Sequence, residues 1–302
     1  MSEGQIPCLL RRDVVTFERG LFDGACDACF VIACCGANPS RMEKMKANLQ
    51  NFRPLRRVEI FVFEGHRACS GSQSTAHDLM CNYYSLFRHA LSRSARRILV
   101  LEDDFEVRTA PLEDDAQRIA AFLEARDPDV YGLGNFFVMP TPSTLWSYHQ
   151  QAVGSCLPCS QACFYGEAYM RTIVDYFPGG PSDLPSDFWA VDWWPFFFGA
   201  RTFRFRRPIV TQTFPQTENQ STGWAVCIPG LRLPSPLVDL GVLAFKKLEL
   251  HERPQPGWDV LYFLSNHVLY PVLACVLLMF VAICVLAARA LFHPADAPCT
   301  VW

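Results

Sequence analysis

Three short apolar runs constrain this chain more than any other feature. Phe30-Val-Ile-Ala-Cys-Cys35 ends at Gly36, and Val58-Glu-Ile-Phe-Val-Phe63 is closed by Gly65. Arg97-Ile-Leu-Val-Leu101 runs straight into Glu102, Asp103 and Asp104. Runs this short and this apolar read as buried strands. Two segments with helical spacing separate them. In the first, Ser40-Arg-Met-Glu43 has the pattern of a capping box, in which the Glu43 carboxylate reaches back to the Ser40 amide. Met42, Met45 and Leu49 then follow on one face. In the second, Leu79, Tyr83, Leu86, Phe87 and Ala90 mark the buried face. Strand, helix, strand, helix, strand predicts a parallel sheet with right-handed crossovers. Ligands of such sheets bind beyond the carboxyl ends of the strands, which is where the acidic triplet falls.

Further along the pattern loosens. Helices are expected at Glu113 to Ala125 and Glu167 to Tyr176, and strands at Val130 to Met139 and Gln161 to Tyr165. Thr202-Phe-Arg-Phe-Arg206 alternates strictly, so Arg204 and Arg206 share a face. With Arg207 they read as an exposed basic strand face, or else as groups that neutralise phosphate. Residues 177–198 form a loop-rich aromatic segment.

Half of the 302 residues are hydrophobic and 19% are charged. That excludes a disordered chain and is leaner in charge than the roughly 25% of ordinary soluble domains. The net charge of −3 argues against a nucleic-acid partner held by bulk charge. Part of the apolar excess has an address: residues 268–288 run without a charge, for 21 residues. A helix needs about 20 to cross a bilayer core. Arg289 ends the run, and Lys246, Lys247 and Arg253 precede it. The first 25 residues hold seven charges among short apolar stretches, unlike a signal peptide. The expectation is a single-pass membrane protein with a C-terminal anchor and its main domain in the cytosol. The layout expected is an N-terminal segment over 1–27, a globular domain over 28–227, a Pro-rich stalk over 228–259, the anchor over 260–292 and a short tail over 293–302.

In a reducing cytosol the cysteines outside the span should be thiols. Cys26/Cys29 and Cys156/Cys159 have the spacing of zinc ligands. Cys29 lies beside an apolar strand, however, and buried thiols are the plainer reading.

Adjacent carboxylates raise one another's pKa. A divalent cation resolves that, and oxygen ligands suit Mn²⁺ or Mg²⁺. Such a cation in turn holds a diphosphate and stabilises it as a leaving group. The plainer alternative for the triplet is an exposed acidic turn.

RILVLEDDFEV resembles the metal-binding segment of GT-A glycosyltransferases, in particular family 25 (the lipopolysaccharide and procollagen galactosyltransferase type) and related viral or algal enzymes. There a hydrophobic strand runs into an LEDD variant of the DxD motif. FVIACCGANPSRMEKM resembles the first strand and nucleotide loop of that family, HDLMCNYYSLFRHAL its preceding helix, and RPIVTQTFPQTENQSTGW its late strand and loop. Asn82-Tyr83 stands where the family has a Ser-His pair. The resemblance spans roughly residues 28–225 and implies a GT-A-like Rossmann-type α/β fold with a mixed sheet and flanking helices, to which the C-terminal transmembrane helix is added.

It also implies roles. Asp104 would ligate Mn²⁺ or Mg²⁺, Asp103 would support the metal, and Glu102 would approach the ribose or sugar. Arg41 would sit near the nucleotide, unless it is simply a solvated first-turn arginine. Gln212 and Glu218, on the late loop, would contact donor or acceptor. An inverting transfer needs a general base, for which the family's acid beside aromatics points to Asp192, with Asp187 second. Either acid otherwise caps a turn. Trp189, Trp193 and Trp194 would stack on sugar faces, though part of Trp193 to Phe198 belongs to a core. The partners expected are a nucleotide-sugar donor, a glycan, lipid or protein acceptor, and the membrane. Two other readings stay open: a different divalent-metal enzyme, such as a phosphohydrolase or nuclease, and a non-catalytic tail-anchored adaptor.

Overall fold

The computed structural model describes residues 6, 8–34, 39–64, 73–108, 112–134, 140–144, 146–152, 162–184, 191–212, 243, 247, 268 and 270–292. Its residues divide into two units, 1–258 and 259–302.

The first unit is built on an eight-stranded mixed sheet in the order β1-β3-β2-β4-β8-β6-β9-β7. The strands are β1 (Leu9–Thr16), β2 (Ala28–Ala33), β3 (Arg57–Phe63), β4 (Arg97–Glu102), β6 (Val130–Gly132), β7 (His149–Gln151), β8 (Ala162–Gly166) and β9 (Thr202–Phe205). Strands β3, β2 and β4 run parallel, as the three apolar runs require. β1 joins one edge antiparallel to β3, and β8 pairs antiparallel to β4. A separate two-stranded ribbon pairs β5 (Phe105–Val107) with β10 (Val210–Gln212).

Each parallel strand sends alternate side chains to opposite faces, so each face acquires its own core. On one face Val31, Ala33, Ile60, Val62, Leu99 and Leu101 meet α1 (Pro39–Phe52) and α3 (Glu113–Arg126). On the other, Phe30, Ile32, Phe61, Phe63, Ile98 and Val100 meet α2 (Thr75–Ser92) and α4 (Glu167–Tyr176). The result is a mixed α/β fold of Rossmann-like type, with a helical layer on each side of the sheet.

Several expectations change. The N-terminal segment contributes an edge strand, β1, and core residues Phe22 and Cys26. LLRRDVVT shows no clean alternation because an edge strand needs burial only in part. The strand expected over Val130 to Met139 is observed at Val130–Gly132, with residues 135–139 outside the described set. Arg204 is fully buried rather than part of an exposed basic face. Its guanidinium donates to Gln150 Oε1 from Nε at 3.1 Å and Nη2 at 2.8 Å. Gln150, on the neighbouring strand β7, thus accepts from a buried guanidinium that alternation alone places on the surface.

Cys26 and Cys29 are buried free thiols, and burial raises both thiol pKa values. Cys156 and Cys159 lie outside the described residues. Cys8 is disulfide-bonded, against the expectation of thiols throughout.

The first unit also holds a short helix, α5 (Trp194–Phe197), and the second unit contains α6 (Tyr270–Phe292), 23 residues long, about 35 Å at 1.5 Å per residue. Leu278, Phe280 and Ile283 are exposed at 69%, 62% and 63%. Taken over the described side chains alone, no helix is long and apolar enough to cross a membrane. The helix as a whole carries no charge before Arg289. The two statements differ because the side chains at 270, 273, 274, 277 and 286–292 lie outside the described set. The stalk expected over 228–259 is described only at 243 and 247.

Candidate active site

From β2 the chain crosses through α1 to β3 on one side, then returns through α2 to β4 on the other. The strand order therefore reverses between β2 and β4. Such a switch point opens a crevice at the carboxyl ends of the strands. Register places Ile32 opposite Glu102, so Cys34 and the acidic triplet face each other across it.

Asp103 closes this junction. Its Oδ2 accepts from the Cys34 backbone N–H at 2.9 Å, and its Oδ1 pairs with Arg41 Nη2. The carboxylate is 4% exposed and the guanidinium 16%. One acid thus ties the end of β4 to the segment after β2 and to the first turn of α1. Arg41 is engaged by Asp103, and Asp103 by Arg41 and Cys34, which makes both of them positioning residues in this arrangement.

Glu102, at the last position of β4, accepts from the buried Tyr83 hydroxyl at 3.0 Å. Asn82 Nδ2 donates to Cys34 Sγ at 3.6 Å. The Cys34 thiol pKa is raised, first by enclosure and then by the carboxylates of Asp103, Asp78 and Glu102, with Arg41 opposing. Cys34 as a residue retains exposure.

Asp78, buried on α2, bears on the Cys34 thiol through its charge, and the sequence reading did not single it out. Its signal is spacing: 78 and 82 are four apart and share a helix face, on a helix that begins beyond the carboxyl end of β3. That helix start is secured by Ser74, whose Oγ accepts from the His77 amide at 3.0 Å. His77 is buried, and its Nε2 lies 3.2 Å from the Pro181 carbonyl. It serves as a helix-start residue.

Asp104 is buried at 8% exposure in the turn into β5. Its neighbour Phe105 pairs with Gln212, so the late strand β10 comes back beside the acidic turn. The Gln212 side chain, and Glu218, Trp189 and Asp187 entirely, lie outside the described residues. Asp192 is half-buried in a 3-10 turn, Val191–Trp193, that packs against α2. Trp193 is half-buried and meets Phe196 edge-on, with centroids 6.2 Å apart. Trp194 does not stack on a sugar: it is 0% exposed, packed 6.4 Å from Phe87 and 6.2 Å from Phe177. Its neighbours in FPGGPSDLPSDFWAVDWWPFFF are so uniformly aromatic that sequence alone does not separate core from surface.

Among the described residues no group of three or more His, Cys, Asp and Glu is placed to hold a metal ion. The carboxylates that flank the Asp103 clasp are Glu102 and Asp104. That set suits a cation held by one or two carboxylates and completed by phosphate oxygens and water, not an all-protein cage.

No family model and no curated protein matches the chain. Solved structures similar to it include three of note. A197 from STIV is 13% identical over 61% of this chain and 82% of that one, with a TM-score of 0.34. A mannose-1-phosphate geranyltransferase from Thermus thermophilus is 13% identical over 59% and 73%, with a TM-score of 0.36. A glycosyltransferase involved in glycosylation of the major capsid of PBCV-1 is 12% identical over 50% and 66%, with a TM-score of 0.29. At TM-scores this low the likenesses say nothing about function.

Proposed function

We propose that this chain is a membrane-anchored glycosyltransferase that moves a hexose from a nucleotide diphosphate sugar, by default a UDP-sugar, to an acceptor hydroxyl with inversion. One observation carries the reading: an acidic turn fixed at the β2/β4 switch point by the Asp103 clasp. The clasp sets the backbone on which Glu102 and Asp104 stand, and Tyr83 orients Glu102. Asp104 would hold Mn²⁺ or Mg²⁺, and Glu102 would approach the ribose or sugar. The cation, when bound, neutralises the leaving diphosphate. Asp192 or Asp187 would take the proton from the acceptor hydroxyl, with Trp193 or Trp189 against a sugar ring.

Helix α6 supports the anchor, since about 35 Å exceeds the roughly 30 Å hydrocarbon core and its described apolar residues are exposed. For orientation, the Cys8 disulfide favours an oxidising compartment over the cytosol. The Asn219-Gln-Ser221 sequon reports on this directly. Modification of Asn219 in cells places the domain in a lumen, and an unmodified Asn219 in an otherwise glycosylating host returns it to the cytosol.

A thermal-shift screen of nucleotide sugars, with and without Mn²⁺, tests the function. A rise in Tm with at least one donor, dependent on the metal, is expected. No rise with any donor refutes the reading and favours the adaptor.

A further inference from the structure

Position 59 of β3 breaks an otherwise apolar strand. Its alternation puts Glu59 on the same face as Phe61 and Phe63, under α2, and the residue is 3% exposed. A carboxylate so placed needs a partner, and one cation would suffice. Glu59 has three guanidinium groups from three different elements. Arg12 of β1 donates from Nη2, Arg57 of β3 from Nε at 3.3 Å, and Arg93, at the end of α2, from Nη1 at 2.8 Å. His89 Nε2 stands 3.9 Å away. Burial pushes the Glu59 pKa up, but the nearby His89, the hydrogen bond from Arg93 and the charges of Arg12 and Arg93 prevail, holding it well below the usual range.

One negative charge therefore sits among three guanidinium charges, an excess of two. The arrangement is ordered on both sides. The Arg12 guanidinium lies over the Phe61 ring at 5.4 Å, and the His89 ring packs against Phe30 and Phe61. The cationic heads are not sealed: Arg12, Arg57 and Arg93 side chains are 36%, 56% and 45% exposed. Each guanidinium has five N–H donors, and Glu59 takes only a minority of them. Among the described residues, Arg57 makes no other ion pair. Like charges gathered this closely repel, and an added anion relieves that repulsion. Glu59 is the pivot that gathers them.

The location separates this cluster from the candidate active site. Glu59 pairs with Phe30, near the start of β2, whereas the acidic turn faces Cys34 at its end. Four residues of strand, about 13 Å, part Glu59 from the carboxyl edge at Phe63.

We propose that Arg12, Arg57 and Arg93, gathered by Glu59, form a second, non-catalytic site for a phosphate group at the amino-terminal edge of the sheet. Arginine forks match tetrahedral phosphate oxygens in pairs, and several forks converging from separate elements favour a terminal phosphate over a single-charged carboxylate. A free phosphate and the headgroup of an anionic lipid both present this chemistry.

The test uses the full chain in a neutral detergent. Calorimetric titration with inorganic phosphate and with glycerol 3-phosphate is compared with thermal shifts in nanodiscs of phosphatidylcholine, with and without phosphatidic acid. Saturable binding of either soluble probe marks a soluble ligand. A Tm rise confined to phosphatidic acid nanodiscs marks a lipid headgroup. Either supports the site only if Arg57→Gln and Arg93→Gln each weaken it by about tenfold, the loss expected of a charge-assisted hydrogen bond, while Arg56→Gln, at the exposed Asp23 pair outside the cluster, changes it less than about twofold. No response to any probe overturns the proposal, and so does equal weakening by Arg56→Gln, which would mean attraction to bulk charge.

Discussion

Replacing Asp103 by asparagine tests whether this acid is a clasp or a ligand. The asparagine side chain keeps the shape and loses the charge. It has one oxygen, so it serves either the Cys34 N–H or Arg41, and its amide N–H₂ is set against the other donor. Asp103 and Arg41 side chains are 4% and 16% exposed. Removing one member of a pair so enclosed takes its buried ionic partner from the other, a cost of about 3 kcal/mol. For a chain of this size each kcal/mol moves Tm by roughly 2–4 °C, so the fall is about 6–12 °C. Thermal unfolding of the full chain in detergent measures it, with Arg41→Met and the double variant completing a cycle. The double variant should lose less than the two singles added together, because it leaves no stranded charge. A Tm within about 2 °C of wild type for Asp103→Asn, with nucleotide-sugar binding lost, refutes the clasp and makes Asp103 a ligand.

Tyr83→Phe removes the hydroxyl that Glu102 accepts from at 3.0 Å. A hydrogen bond to a charged group is worth about 2 kcal/mol, to be seen as a lower urea midpoint at unchanged slope. Trp194→Ala should cost about 3–5 kcal/mol as a core cavity, whereas the half-buried Trp193→Ala costs clearly less; comparing their urea midpoints separates core from surface in the aromatic segment. His149 gives a pH dependence. Burial, and then Arg118, lower its pKa to about 4 from 6.5, and the Nδ1 of the ring hydrogen-bonds with the Tyr131 hydroxyl at 2.8 Å. The unfolded chain binds this proton more readily than the native one. The stability contribution is therefore complete above about pH 6.5 and is lost as pH falls from there toward 4. Tm measured from pH 7 to 5 should fall, and His149→Phe should flatten that slope.

The elements carrying the candidate site were legible because burial on both faces leaves a strong mark. β2, β3 and β4 are continuous apolar runs, and α1 and α2 show the helical spacing of their core faces. The edges were not legible. β1 and β7 read as charged or polar text because one side of an edge strand faces water or a single partner. The acidic turn was found by its place after β4, but its internal division was not. Nothing in Glu-Asp-Asp says that the middle acid is consumed by Arg41 and the Cys34 amide, since that contact joins residues 62 and 69 positions apart. Asp78 was hidden for the same reason, because its relation to Cys34 exists only once α2 has crossed the sheet. Arg204 shows the converse: alternation gave its neighbours correctly, while its burial depended on Gln150 from a strand too polar to recognise.

The most direct test of the account is a titration of the full chain with the UDP-hexose that gives the largest thermal shift, in Mn²⁺, for wild type and Asp104→Asn. Saturable, metal-dependent binding by wild type is expected. Asp104→Asn should lower the affinity by at least about tenfold, or 1.4 kcal/mol, with Tm within about 2 °C of wild type. Undiminished metal-dependent binding by Asp104→Asn would contradict the assignment of the acidic turn as the donor site.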